Sequence, residues 1–159
     1  MKKTFLLAFF LIMISTQIKA QEVYDYLLDK SELVINNTQS NAFDRKVAEF
    51  KIAAMSYFRK NIILRDGAVS STWLDEQALA LNEFVTNYLM ELSQNSGAKE
   101  NDRKKIIMRY CLASNKFPLF ENVNKKEADA FLRDKEGYTP FTLNTDWMKA
   151  LEETKKKDN

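Results

Sequence analysis

The sequence predicts an all-α protein: a single compact bundle of about five to six helices, with one short extended segment near residues 138–144. Three observations carry that expectation. The chain holds only three glycines and two prolines in 159 residues, so long stretches lack the two strongest helix breakers. Its apolar residues recur at alternating steps of four and three, the spacing of one helix face. No fixed-period repeat and no low-complexity linker divides it, and its length suits one domain with a sizeable core.

The elements follow in chain order. Lys2 and Lys3 precede ten consecutive apolar residues, Phe5 to Ile14, and Ile18-Lys19-Ala20 places a small residue before Gln21. That layout is a secretory signal peptide, expected to occupy residues 1–20 and to be removed. A spanning helix needs roughly 20 apolar residues, so the run is too short to cross a bilayer. No cysteine follows it, which closes the bacterial lipidation route. The mature chain is then residues 21–159, a single helical domain with a frayed C-terminal tail and no transmembrane segment, exported to the periplasm or the extracellular space.

A first helix is expected from Glu22 to Ile35, with Val23, Leu27, Val34 and Ile35 among its apolar positions, before NNTQSN breaks the pattern. A second runs from about Asn41 to Ile63. Phe43, Val47, Phe50, Ala54 and Tyr57 trace its apolar face, Asn41 caps its first turn, and Asp44 adds negative charge near the positive end of the dipole. The third starts at Thr72 as N-cap and carries Leu74, Ala78, Leu81, Val85, Tyr88 and Leu92 on one stripe. Trp73, Ala80, Phe84 and Leu89 widen that stripe, which predicts packing on more than one neighbour. A fourth helix follows the charged run Lys99 to Lys105 and ends before Pro118. A short fifth starts at the box-like Asn124-Lys125-Lys126-Glu127 and includes Phe131 and Leu132. A sixth opens near Thr145 and carries Trp147, Met148 and Leu151.

Charge and composition remove several chemistries. The whole chain is at +2, but loss of Lys2, Lys3 and Lys19 with the signal leaves −1. A near-neutral chain lacks the basic footprint of a nucleic-acid binder, so no nucleic-acid partner is expected. The absence of histidine takes away Ser-His-Asp and Cys-His machinery and the commonest transition-metal ligand. With Cys111 the sole cysteine, no zinc site, no other metal site and no cofactor is expected, and no intramolecular disulfide can form. Cys111 itself sits in the apolar context IIMRYCLAS, which suits a buried, inert thiol, with pairing between chains as the alternative.

Three functional readings survive. The leading one is a non-catalytic module that binds a protein or cell-envelope component through residues 138–147. Tyr138, Phe141 and Trp147 there alternate with threonines, Pro140 and Asn144, a composition suited to stacking on sugars or docking a partner. The same segment can instead fold over the bundle as a lid; as a strand it would need a ladder partner, for which 68–70 is the one other extended candidate. The second reading is a cell-wall glycan hydrolase using paired carboxylates among Asp75, Glu76 and Glu83 on the third helix. The third is a small apolar ligand held beside that helix.

Overall fold

A computed structural model describes residues 22–66, 70–97, 99–134 and 138–156 of the protein. The expected signal peptide lies outside these residues, as do positions 68 and 69 of the suggested strand pairing. Six helices follow in order: α1 (Glu22–Asn36), α2 (Ala42–Asp66), α3 (Ser71–Gln94), α4 (Glu100–Lys116), α5 (Lys125–Ala128) and α6 (Trp147–Lys155). No strand occurs among the described residues, so the 138–144 segment is irregular backbone without a ladder.

Helix α1 returns along α2 through a short turn and also packs on α3, while α6 lies against both α3 and α4. The centrality of α3 follows from its width of apolar surface. Leu74, Ala78, Leu81, Val85 and Tyr88 are buried on one stripe, and Ala80 and Phe84 bury the flank. On α2 the expected face is buried from Val47 through Phe50 and Ala54 to Tyr57, but Phe43 in the first turn stays 37% exposed. Its ring meets Tyr138 edge to face, 4.7 Å between centroids. On α1 the deepest apolar residue is Tyr24, 2% exposed, ahead of the aliphatic positions expected to anchor the helix. Its ring meets Phe58 edge to face at 5.8 Å.

Helix ends show where local chemistry operates and where it yields. At α2, Asn41 Oδ1 accepts from the Asp44 N–H and Asn41 Nδ2 donates to Asp44 Oδ2, both at 2.8 Å, as the sequence implied. At α3 the N-cap is Ser70 rather than Thr72, and its side chain makes no capping bond, so the helix starts two residues earlier than expected. Helix α4 begins inside the charged run instead of after it. Glu100 and Asp102 stand in its first turn, where the dipole favours acids, and Glu100 pairs with Lys104 one turn on at 2.7 Å. Helix α5 is a single turn. Asn124 Oδ1 accepts from the Lys126 N–H, but Glu127 turns away to Lys60 on α2, at 2.9 Å. Beyond it the chain continues as i→i+3 turns, with Leu132 N bonded to Asp129 O and Asp134 N to Phe131 O, so Phe131 and Leu132 are not helical. Helix α6 opens two residues later than expected, at Trp147, with Asp146 as its N-cap.

The core is dominated by aromatic rings. Phe50 meets Phe131, Phe141 and Trp147 edge to face at 5.3–5.8 Å. Phe84 meets Tyr110, Phe141 and Trp147 at 5.1–5.5 Å, and Tyr88 meets Phe141 at 5.0 Å. Such pairs add about 0.5–1.5 kcal/mol each beyond the area they bury.

Candidate functional site

The 138–147 segment is built into this core. Phe141 and Trp147 are both 0% exposed, and Tyr138 is half-buried against Phe43. Phe141 and Trp147 therefore present no surface to a partner, and the segment closes the bundle as a lid. A buried loop has to satisfy its polar groups without a ladder, and its side chains do so. Asn144 acts as a surrogate strand: its Oδ1 accepts from the Phe120 N–H and its Nδ2 donates to the Phe120 carbonyl, both at 2.9 Å. Leu143 N and Thr142 Oγ1 both donate to the Ala128 carbonyl, at 2.8 and 3.1 Å. Thr145, wholly buried, reaches the Thr142 carbonyl at 2.8 Å and the Ser114 hydroxyl at 2.9 Å. The threonines and asparagine that suggested recognition of sugars are thus internal fasteners.

The junction with α6 is equally closed. Gln77, 1% exposed on α3, accepts from the Trp147 N–H at 2.9 Å and donates to Asp146 Oδ1 at 3.1 Å. Burial acts to raise the Asp146 carboxyl, but its bonds to Lys149 and Gln77 outweigh that and hold it below the ordinary carboxylate value. Cys111, half-buried on α4, directs its thiol to the Pro140 carbonyl at 3.4 Å, and burial raises its pKa, which keeps it protonated and poorly nucleophilic.

The three acidic residues singled out on α3 have separate surroundings. Asp75 is buried, and its Oδ1 accepts from the Tyr24 N–H at 2.8 Å, capping the first turn of α1 from another helix. Glu76 is exposed. Glu83 is exposed and pairs with Lys155 of α6 at 2.9 Å. Eight residues separate Asp75 from Glu83, about 12 Å along the helix axis. Glu91, further along α3, holds α4: it pairs with Arg109 and accepts from the Tyr110 hydroxyl at 2.6 Å.

A groove of about 440 Å³ runs between α1, α2 and α3. Its walls repeat at helical spacing. Tyr26, Leu27, Lys30, Ser31 and Val34 come from α1, Phe43, Val47, Ala48 and Lys51 from α2, and Asn82 and Leu89 from α3. Small residues at Ser31 and Ala48 leave space that larger side chains would close. Two cations reach it. Lys30 Nζ sits 5.0 Å from the Tyr26 ring centroid at the mouth, and Lys51 lies half-buried, its Nζ donating to Asn82 Oδ1 at 2.8 Å. Nothing in the linear pattern marks this site, since its members are ordinary residues on three separate helix faces.

No group of three or more acidic or cysteine side chains gathers as a metal site among the described residues, and no helix among them is long and apolar enough to cross a membrane. Comparison with protein-family models, characterised proteins and solved structures finds no match to this chain.

Proposed function

We propose that this chain is an exported, non-catalytic binding protein of the periplasm or cell exterior, and that the groove between α1, α2 and α3 is its binding surface. One observation carries the reading: the groove has the volume of a small-molecule site, and its mouth is flanked by exposed apolar side chains. Tyr26 and Phe43 both line the groove, and they are 54% and 37% exposed. Exposed apolar residues clustered beside a concavity mark interaction sites more often than the same residues scattered singly. The export half of the reading rests on the signal-peptide layout of residues 1–20.

A neutral, polarity-sensitive apolar fluorophore tests the groove. One molecule is expected to bind per folded chain, with a blue-shifted emission, and Val34→Trp, which fills the groove from α1, is expected to abolish the signal while helical circular dichroism is retained. Unchanged dye binding in that variant refutes the assignment. Export is tested separately by sequencing the N-terminus of the secreted protein, which is expected to begin at Gln21.

A further inference from the structure

The two ends of the groove differ in chemistry. Phe43 and Leu89 stand near the α1–α2 turn, and Val34 and Val47 continue that apolar wall. Lys51 stands eight residues from Phe43 along α2, about 12 Å away. Its ammonium has three donors, and the bond it makes goes to a neutral amide, Asn82 Oδ1. No acidic side chain pairs with it among the described residues, and burial alone pushes its pKa below the ordinary lysine value. Asp44, the acid of the groove wall, is at the far end and is engaged with Asn41 in the α2 cap. Other cations that reach a neighbouring helix among the described residues meet an acid, as at Lys60–Glu127, Arg109–Glu91, Lys116–Glu153 and Lys155–Glu83. A half-buried cation without a counter-ion costs desolvation that the protein itself does not recover. An anion entering the groove would recover it.

From this we infer that the groove takes an amphipathic carboxylate, such as a medium-chain fatty acid. The carboxylate is bound by Lys51 Nζ, and the tail lies along Val34, Phe43, Val47 and Leu89. Lys30 at the mouth adds a second positive charge that draws the anion in. The assignment deepens the groove reading above and depends on it.

Calorimetric titration with decanoate, decan-1-ol and acetate tests it, because the three share a tail, a head or neither. Decanoate is expected to bind at one site per chain, decan-1-ol about ten-fold or more weakly, as loss of a charge-assisted bond requires, and acetate not measurably. Lys51→Met is expected to bring decanoate down to the level of decan-1-ol without changing the alcohol. That variant removes an unpaired half-buried charge, so it folds, with a melting temperature at or above the parent's. Val34→Trp is expected to remove both ligands. Equal binding of acid and alcohol, insensitive to Lys51→Met but lost in Val34→Trp, overturns the carboxylate assignment and leaves the groove as a site for neutral ligands. Absence of binding by either, or binding that survives Val34→Trp, overturns both. A stable dimer that excludes decanoate overturns the inference in favour of a second copy of this chain as the occupant.

Discussion

Gln77 offers the sharpest test of how the 138–147 segment is locked to the bundle. Its amide spans two partners at the start of α6: it accepts from the Trp147 N–H at 2.9 Å and donates to the Asp146 carboxylate at 3.1 Å. The Trp147 N–H is one of the four donors that a helix start leaves without an internal partner. Gln77→Met keeps the length and bulk of the side chain and removes both bonds. The buried N–H then carries its desolvation cost of about 1–3 kcal/mol, and the lost bond to a partly exposed carboxylate adds less than that. For a domain of this size, a combined loss of about 2–3 kcal/mol lowers the melting temperature by about 6–10 °C. Thermal unfolding followed by circular dichroism at neutral pH measures it. Gln77→Glu separates a hydrogen-bonding role from a packing role. It places a second carboxylate against Asp146, so it is expected to be worse than methionine at neutral pH and to recover as acid protonates the pair. A melting temperature for Gln77→Met within about 2 °C of the parent, or a glutamate variant with no recovery in acid, would refute the account.

Asn144→Ala removes the bonds to both the N–H and the carbonyl of buried Phe120, and is expected to cost about 2–4 kcal/mol in chemical denaturation, against almost nothing for the exposed Asn115→Ala. Asp75→Asn retains an acceptor for the Tyr24 N–H, so it is expected to lose under about 1 kcal/mol while Asp75→Leu loses about 1–3; equal losses would mean that the carboxylate is not a cap. Tyr24, Tyr88 and Tyr110 all have pKa values raised by burial, and in Tyr110 by the bond to Glu91 as well. Their folded values exceed the unfolded one, so their contribution to stability is intact below about pH 10 and is lost as pH rises through the folded values. Lys51 acts in the opposite sense, one group against three. Tyrosinate absorbance is therefore expected to rise in two stages, the later coinciding with unfolding; a single stage near pH 10 with the fold intact would contradict the burial of these rings.

The tertiary role of the 138–147 segment explains why so aromatic a stretch occurs there. Its rings complete a core in which α2, α3 and α4 each supply one side, and its polar side chains replace the backbone ladder that a strand would have used. Trp147 shows the cost of that arrangement. Its indole Nε1 is buried without an acceptor among the described residues, so packing of the large ring outweighs one unmade bond.

The helices and their order were legible because periodicity and breakers are local: each apolar stripe appears within its own segment, and the Asn41–Asp44 cap closes within four residues. Excluded chemistry was legible for a simpler reason, since a chain without histidine cannot supply one in any fold. What the sequence left open depends on which faces meet. It could not distinguish an exposed aromatic loop from an internal lid, because Phe141 and Trp147 have the same composition in either setting. It could not mark Asp75 as a cap, because the N–H that it accepts lies 51 residues away. The Lys51 groove is assembled from three helix faces, each unremarkable alone, and only their packing leaves a half-buried cation beside an apolar trough. Hydrophobic periodicity reports that a face is covered; the partner that covers it, or fails to, is decided by tertiary structure.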